Sequence, residues 1–546
     1  MTTIESYAFS DCSGLTSVSI GNGVKKIGEF AFSGCSRFSL HITDLTAWCK
    51  IDFSVGPFSD FASCSNPLAY VDHFFLNGVE VKDLIIPNGV TKIKEGAFYH
   101  CKSLTSVTIP NSVTTIGKCS FEGCSSLTSV TIPNSVTSIE EFSFYDCSGL
   151  TSVNISDIAA WCNISFFCLY DWIVSNPLVY AHHLYLNGEL VKDLVIPEGT
   201  TSVSEYAFCS CSGLTSVTIP NSVTSIGSSA FSDCTSIEKI TFHCQEIGSW
   251  FSNLRSVKEV IIGEEVKSIV GGAFDGCSNL ESVNISDIVA WCNISFSDNP
   301  LNYAHHLFLN EEEVKDLIIP NSVTSIGIST FSGCSGLTSV VLPNTVTSIG
   351  NNAFQGCSEL SSVSIGKEIK SVGAKAFANC PEIKEVYCYA KDVPEISNNT
   401  FENSYYIKYA TLYVPESSVE QYKMSAWSQF GNIVGITGGN EGERCAKPII
   451  TLLANGKIKV ESATKGSTCV TNITASNAEP LADGEISLDT PLTVYTVTSY
   501  ATKEGYNDSE VATATFRYEK TEGDMNGDGM LNITDVIHLV NMILGQ

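Results

Sequence analysis

The fold is decided by the stretch "IPNSVTTIGKCSFEGCSSLTSVT", residues 109–131, whose opening returns at once as "IPNSVTSIE" from Ile132. The repeat period is therefore 23 residues. The same unit begins again at Ile219, Ile319 and Leu342. A unit of this length cannot bury its own apolar residues, whereas stacked units bury a continuous core. The sequence thus predicts a solenoid over residues 1–380.

The shared template, LxxVxIPxxVxxIxxxAFxxCxx, predicts the local structure of each turn. "LTSVTI" alternates apolar and polar residues, which is typical of a short strand with one buried face. The following Pro ends the strand because it lacks an N–H for the ladder. "SVTSIG" is a second extended segment, and "AFxGC" places Phe and Cys inward. Such a repeat favours a leucine-rich-repeat solenoid, mostly β with short helical turns.

A longer unit interrupts the array three times. Its copies begin with "HITDLTAWC" at His41, "NISDIAAWC" at Asn154 and "NISDIVAWC" at Asn284. In each copy an Asp (Asp44, Asp157 or Asp287) precedes an apolar turn that ends in Trp-Cys, which predicts a capped short helix. Further on, Asn77-Gly78 and Asn187-Gly188 lie between apolar runs and predict β-hairpins. Glu311 replaces the Gly in the third copy, so the sequence leaves that turn open.

The repeats decay after Cys380, and the rest of the chain divides into four segments. Residues 381–436 keep strand chemistry without the period and are interpreted as a closing cap. "TGGNEGER", residues 437–444, is interpreted as a linker. Alternating strand patterns over residues 445–520 suit a small β-sandwich. Residues 521–546 contain DxNxDGxxNxxD, whose oxygen-bearing residues and central Gly fit an EF-hand-like calcium loop followed by a helix. The alternative is an acidic Asn-Gly turn without an ion.

Three segments resemble known families. "GCSSLTSVTIPNSVTSI" and its neighbours resemble the BspA-like leucine-rich repeats of bacterial surface proteins, over roughly residues 1–436. This resemblance implies a secreted or surface-attached solenoid that adheres to host or partner molecules. Residues 445–520 are similar to fibronectin- or chitobiase-C-terminal-like modules of such proteins.

The tail resembles a single dockerin repeat, which implies one bound Ca²⁺. On that match the ligands are Asp524, Asn526, Asp528, the backbone carbonyl of Met530, Asn532 and Asp535. Dockerins usually carry two such loops, whereas this tail has one. The departure puts binding to a cohesin-like receptor in doubt more than it does calcium binding.

Composition excludes several classes of partner. The chain has 546 residues, and 58 Asp and Glu against 30 Lys and Arg give a net charge of −28. That charge opposes binding to nucleic acid and to anionic lipid. The sequence has no apolar run of about 18 residues, so we predict no membrane span. Its first residues lack the basic and apolar regions of a signal peptide and already lie inside a repeat. We therefore expect that the natural chain begins upstream, with a secretion signal, and that the protein is extracellular or at the cell surface.

The 22 cysteines suggest a disulfide framework, but most of them occupy repeated positions. Eleven share one template position: Cys12, Cys35, Cys101, Cys124, Cys147, Cys211, Cys234, Cys277, Cys334, Cys357 and Cys380. Cys49, Cys162 and Cys292 share the Trp-Cys position. Stacked turns would place such residues in a ladder of small buried groups, so thiols are favoured over disulfides. Cys445 and Cys469 could bridge the sandwich.

No catalytic or second metal site stands out. The pairs His182-His183 and His305-His306 invite a metal interpretation, but neighbours in a strand point to opposite faces, so structural roles are favoured. The sequence has no GxSxG elbow, no convergent Ser-His-Asp set and no assignable pair of glycosidase carboxylates. We therefore expect that the protein is not an enzyme.

The leading hypothesis is a non-catalytic binding or adhesion protein. The Thr-Ser-Val-Thr strands would present an extended surface to a host protein, a matrix component or a glycan, although they could also be a merely solvated face. The tail would serve for docking or anchoring. The alternative is an accessory subunit of a polysaccharide-degrading complex, docked through its tail to a cohesin-like receptor.

Overall fold

The computed structural model describes residues 1–35, 37–53, 65–169 and 173–436, and the backbone of six strands between Ile449 and Arg517. The chain forms two compact units. The first comprises Met1–Val386 and Pro394–Ala410, and the second comprises Tyr387–Val393 and the chain from Thr411 onward. The linker at 437–444 and the calcium loop with its helix at 521–546 lie outside the described residues.

In the first unit, successive turns each contribute a longer strand to a parallel ladder. Ser106 lies opposite Ser129, and Ser129 opposite Ser152, so the register equals the repeat period. Val107, at the centre of its strand, is 2% exposed, while the residues beside it face outward, as the alternation predicts. The longer strands are Ser17–Ile20, Phe38–Ile42, Val71–Leu76, Asp83–Ile85, Ser106–Thr108, Ser129–Thr131, Ser152–Ile155, Leu184–Leu186, Asp193–Val195, Ser216–Ile219, Lys239–Phe242, Glu259–Ile262, Ser282–Ile285, Leu307–Leu309, Asp316–Ile318, Ser339–Val341 and Ser362–Ile365.

Three hairpins divide this ladder into separate sheets. Each hairpin adds a short antiparallel strand at the end of a sheet: Val79–Glu80, Glu189–Leu190 and Glu312–Glu313. Both turn residues have positive φ in every copy, which is the type I′ geometry. In the third copy Asn310 has φ 51° and Glu311 has φ 68°. The hairpin that the sequence left open therefore forms, although Glu stands where Gly is favoured.

The second extended segment of each turn forms a further parallel ladder of two-residue strands, as the template predicts. Its apolar residue is buried in most turns, as Ile116 and Ile139 show. The strands are Thr3–Ile4, Lys26–Ile27, Asp52–Phe53, Lys92–Ile93, Thr115–Ile116, Ser138–Ile139, Ser165–Phe166, Ser202–Val203, Ser225–Ile226, Glu246–Ile247, Ser268–Ile269, Ser295–Phe296, Ser325–Ile326, Ser348–Ile349, Ser371–Val372 and Glu395–Ile396. Cys168–Leu169 and Ile173–Val174 form a separate antiparallel pair.

The third side of each turn has irregular backbone that nevertheless stacks by hydrogen bonds. The Phe98 N–H donates to the Ser120 carbonyl at 2.8 Å, and the His100 N–H donates to the Glu122 carbonyl at 2.6 Å. This ladder requires left-handed backbone at two template positions. One is occupied by Cys119, at φ 54°, and the other by His100 of the preceding turn, at φ 55°. Non-glycine residues accept this conformation because stacking satisfies their backbone polar groups on both sides.

The core behind this side is a stack of phenylalanine rings and thiols. The rings of Phe98 and Phe121 are 5.4 Å apart and nearly parallel, and Phe121 and Phe144 repeat this geometry. The Cys124 thiol donates to the carbonyl of Phe98 at 3.2 Å, and the Cys147 thiol donates to that of Phe121 at 3.1 Å. The inward Phe and Cys that the template predicts are confirmed, and the thiols of Cys124 and Cys147 link adjacent turns.

The longer units contain the predicted capped helices. Asp44, Asp157 and Asp287 each accept a backbone N–H at the helix start. The helices of the first unit are Leu45–Trp48, Ile158–Cys162, Leu178–Ala181, Ile288–Cys292 and Leu301–Ala304, with 3₁₀ turns at Pro67–Tyr70 and Ile407–Tyr409.

A Trp and an Asn connect each longer unit to the turn that follows it. The Trp161 indole N–H donates to the Ala207 carbonyl at 2.8 Å. The Asn176 amide donates to the carbonyls of Tyr206 and Ala207, both at 2.8 Å, and its oxygen accepts the Leu178 N–H. Trp48 with Asn66, and Trp291 with Asn299, make the equivalent bonds. The longer unit therefore continues the third-side hydrogen bonding with side chains.

The second unit contains a parallel pair of strands, Thr411–Pro415 and Asn432–Ile436. Its helix is Val419–Lys423, flanked by 3₁₀ turns at Glu416–Ser418 and Ala426–Gln429. The strand Glu385–Cys388 begins in the first unit and ends in the second. Ile449–Leu452, Lys457–Glu461 and Glu485–Ser487 form one antiparallel sheet, and Thr468–Ala475, Val494–Thr502 and Ala512–Arg517 form another. The β-sandwich proposed for residues 445–520 stays a prediction.

Candidate functional site

The six predicted calcium ligands, Asp524 to Asp535, lie outside the described residues, so the structure neither places nor tests them. Within the part of the chain that is described, no group of three or more His, Cys, Asp or Glu side chains is arranged to hold a metal ion. Among the described residues, the candidate site is the outward surface of the longer strands.

That surface consists of rows of side chains in register, which we call the outward rows. One row runs Ile85, Thr108, Thr131, Asn154 and Tyr185. The next runs Val195, Thr218, Thr241, Ile261, Asn284 and Phe308. Both of these rows start with an aliphatic residue and end with an aromatic one, with mostly hydroxyl and amide groups between. Neighbouring strands lie about 4.8 Å apart, so each row presents a regular, mixed surface.

The aliphatic residues at the row starts are unusually exposed. Ile85 is 69%, Val195 60% and Ile318 46% exposed. All three follow a Lys-Asp-Leu at the first strand after a hairpin, whereas this position is most often polar in the other turns, as Thr108, Thr131 and Asn154 show. Because they recur at one template position, these residues mark three equivalent places on the solenoid.

Many of the hydroxyls that suggested a binding surface are used within the fold. Thr128 donates to the Thr105 carbonyl at 2.9 Å, and Thr151 donates to the Thr128 carbonyl at 3.1 Å. Ser106 donates to Asp83 at 2.6 Å, and hydroxyl donation from Ser106 and Thr105 lowers the pKa of Asp83. Fewer hydroxyls are therefore available to a ligand than the sequence suggests.

The histidine pairs serve the fold, but the reason given from the sequence was wrong. His182 and His305 lie at the C-caps of short helices with left-handed backbone, not in strands. Their rings hydrogen-bond the carbonyls of Ser210 and Gly333, both at 3.1 Å. His306, next in the chain, contacts Glu313 at 2.7 Å.

The ladder thiols are buried and therefore poorly reactive, with the exception of Cys12. Burial raises the pKa of Cys101 and Cys147 to about 12, so almost no thiolate exists at neutral pH. Every cysteine whose side chain the structure describes is a free thiol. Cys12, which shares the ladder position, is exposed, so the expectation of burial is wrong for that residue. The pairing proposed for Cys445 and Cys469 concerns side chains outside the description.

A cluster of exposed tyrosines was missed by sequence reasoning. Tyr405, Tyr406 and Tyr409 are 73%, 56% and 72% exposed. Tyr406 and Tyr409 border a cavity of about 360 Å³ whose other lining residues are Pro381, Glu382, Ile383, Lys384 and Ala410. All of these residues belong to the first unit. "SYYIKY" stands where other turns carry small polar residues, and that contrast could have revealed the cluster.

The fold and its surface define a class of protein: a parallel β-solenoid with repeated rows of outward side chains. The chain belongs to the BspA-type leucine-rich-repeat family, whose profile matches six copies over residues 1–55, 70–171, 182–302 and 303–433. Proteins of this family are typically non-catalytic and found at the cell surface or secreted. No helix in the described part of the chain is long and apolar enough to cross a membrane.

Solved structures include similar chains. A leucine-rich repeat protein from Bacteroides ovatus is 23% identical, with a TM-score of 0.39, covering 65% of this chain and 92% of that one. A leucine-rich cell surface protein from Faecalibacterium prausnitzii is 23% identical, with a TM-score of 0.25, covering 65% and 88%. A T. pallidum leucine-rich repeat protein is 25% identical, with a TM-score of 0.21, covering 36% and 77%. The comparison with curated proteins found no match.

Proposed function

We propose that this protein is a non-catalytic, secreted or cell-surface adhesion protein whose outward rows contact a host protein, a matrix component or a glycan. The supporting observation is the recurrence of exposed aliphatic residues, Ile85, Val195 and Ile318, at one template position. A single exposed apolar residue is ordinary on a protein surface, but the same exposure at one template position in three sheets is a regular pattern that a partner can use. This repetition suits an extended ligand that engages several places at once, and such multivalent contact strengthens binding.

The test is solid-phase binding of the full chain to immobilised collagen, laminin, fibronectin and mucin. Val195→Asp with Ile318→Asp should weaken binding to any probe that the wild type retains, since a charge at each place must then be desolvated. Ile328→Asp is the matched control, because Ile328 is 59% exposed but lies on the third side of its turn. Binding by the double variant equal to that of the wild type, or no binding by the wild type, would contradict the proposal.

For the tail, the proposal is a calcium-ordered docking or anchoring peptide. Its support is the spacing of Asp524, Asn526, Asp528, Asn532 and Asp535, which supplies the hard oxygen donors that Ca²⁺ prefers. Pull-down of the full chain by cohesin-type domains, with and without a chelator, separates two roles. Calcium-dependent capture would favour the alternative, an accessory subunit of a polysaccharide-degrading complex, and failure of capture would favour anchoring by other means.

A further inference from the structure

The tyrosine cluster lies where the phenylalanine ladder ends. Phe401 stacks on Phe377 with ring centroids 5.5 Å apart. Ser404 takes the ladder position of cysteine, and its hydroxyl donates to the Phe377 carbonyl at 2.8 Å. The backbone of this turn is therefore held as in the other turns. The tyrosines that follow are additions to a regular turn, and their rings are not needed to fill its core.

We propose that Tyr406 and Tyr409 form a binding site for neutral glycans, with a sugar ring lying across their exposed faces. This inference rests on the binding role proposed above and names the ligand class for one site. The ring centroids are 6.4 Å apart with an interplanar angle of 42°. A ring inserted between them would need about 7–8 Å, two van der Waals contacts, so the ligand must lie across the pair.

The apolar surface that a ligand can reach here consists mainly of ring faces. Ile383 and Ala410 line the cavity but are only 1% and 2% exposed. An aliphatic peptide side chain would need an enclosed apolar pocket as its anchor. A pyranose instead offers C–H faces bordered by hydroxyls, and it suits tyrosine, which has an apolar face and a polar edge.

The polar groups around the cavity can both donate hydrogen bonds to sugar hydroxyls and accept them. Glu382 and Lys384 supply both acceptors and donors, and they lie 3.7 Å apart as a loose, exposed pair that sugar hydroxyls can join. The Lys408 ammonium lies over one face of the Tyr409 ring, 5.0 Å from its centroid. A sugar ring would therefore lie against the other face of Tyr409. The net charge of −28 opposes acidic polymers, since long-range repulsion lowers their local concentration.

The test is native affinity electrophoresis of the full chain in gels that contain xylan, galactomannan, amylopectin or mixed-linkage β-glucan. At least one neutral polysaccharide should retard the wild type. Tyr406→Ala with Tyr409→Ala should weaken that interaction about tenfold or more, because both stacking faces are lost. Tyr406→Phe with Tyr409→Phe keeps the faces and should retain most of the affinity. Ile328→Ala, which removes an exposed apolar side chain elsewhere, should change nothing.

Thermal melting of every variant shows whether the fold is intact, and the exposed tyrosines should tolerate replacement. The proposal is overturned if no neutral polysaccharide retards the wild type, if only the anionic hyaluronan does, or if the alanine pair binds as the wild type does. It is also overturned if the phenylalanine pair loses as much affinity as the alanine pair. The outward-row variants separate the two proposals: loss of matrix binding there, with no glycan binding here, would leave the adhesion role standing.

Discussion

Glu122 is a carboxyl group enclosed by the third side of its turn. It is 3% exposed, and its Oε2 has no hydrogen-bond partner. Equivalent positions in the neighbouring turns carry Tyr99 and Tyr145. A tyrosine ring is uncharged, so it is buried at a lower cost than a carboxylate. Burial raises the pKa of Glu122 to about 7, although a hydrogen bond with Cys119 acts in the opposite direction. The folded protein therefore takes up a proton here as the pH falls to neutrality.

We predict that Glu122→Gln stabilises the protein above pH 7. In the unfolded chain this carboxyl ionises near its ordinary pKa of 4.5, whereas the folded pKa is about 7. Its cost to stability is thus absent below pH 4.5, grows between these values and is complete above pH 7. The difference between the folded and unfolded pKa corresponds to roughly 3 kcal/mol of unfolding free energy. Urea denaturation of both proteins from pH 4.5 to pH 8 measures the difference.

The control for this experiment is Glu189→Gln, which removes an exposed carboxylate at a hairpin turn. It should not reproduce the gain in stability at pH 8 that is expected of Glu122→Gln. If Glu122→Gln is no more stable at pH 8 than at pH 5, relative to the wild type at each pH, then the carboxyl is not a source of pH-dependent instability.

The cysteine ladder gives a second prediction for single residues. Cys124 is fully buried, and burial raises its pKa well above the ordinary value. Maleimide labelling at pH 7.5, followed by peptide mass spectrometry, should modify Cys12 within minutes and Cys124 only after denaturation. Comparable labelling of the two cysteines in the native protein would show that the turns open readily, contrary to a continuously stacked core.

At the scale of elements, the sequence predicts what depends on apolar periodicity and misses what depends on contacts between turns. "LTSVTI" predicts its strand because the alternation of apolar and polar side chains indicates which face is buried. The left-handed backbone at Cys119 and Phe142 has no such signal, since these residue types rarely adopt positive φ. The third-side ladder that imposes this conformation exists only once two turns are stacked. The Trp161 and Asn176 bonds were missed for the same reason.

The third hairpin provides a prediction about turn geometry. Glu311 has φ 68°. This backbone conformation is unfavourable for a residue with a Cβ atom but is readily adopted by Gly. Glu311→Gly should therefore raise the unfolding free energy by about 0.5–1 kcal/mol. In the second hairpin Gly188→Ala should have the opposite effect, because a Cβ there meets no atom within 4 Å and only backbone strain is added. Equal stability of Glu311→Gly and wild type would contradict this account.

The Asn176 bonds predict how the longer units are held. In Asn176→Asp the carboxylate would face the carbonyls of Tyr206 and Ala207 with no proton to donate, at a position that is 0% exposed. We expect a loss of roughly 3 kcal/mol or more at pH 7. Because the protonated acid can donate one hydrogen bond, the loss should shrink as the pH falls towards 4. Thermal melts at both pH values measure it.

Asn163→Asp is the matched control, since its exposed side chain bonds only the Ala159 carbonyl within its own helix turn. It should cost far less. If Asn176→Asp is as stable as this control, or if its defect is independent of pH, the amide does not hold the turn that follows.

At the scale of the whole molecule, a solenoid couples each turn mainly to its neighbours. Repetition is therefore what made the solenoid predictable, since one template fixes many turns at once. Segments without repetition lack that redundancy. The tyrosines after Ser404 are an example, because only their side-chain exposure distinguishes a surface site from a core.

The same locality predicts that the calcium tail and the solenoid behave independently. Asp524, Asp528 and Asp535 would repel one another in a closed loop, and Ca²⁺ would remove that repulsion. Val536, Leu539, Val540 and Ile543 then fall on one helix face at i, i+3, i+4 and i+7, a stripe that needs a partner because so short a helix is marginal alone. Asp524→Ala with Asp528→Ala should abolish calcium binding in calorimetry and leave the main thermal transition unchanged. Asp483→Ala with Asp489→Ala removes the same charge outside the loop and should preserve binding. Calcium binding that survives the first pair, or a solenoid that melts earlier with it, would show that this interpretation of the tail is wrong.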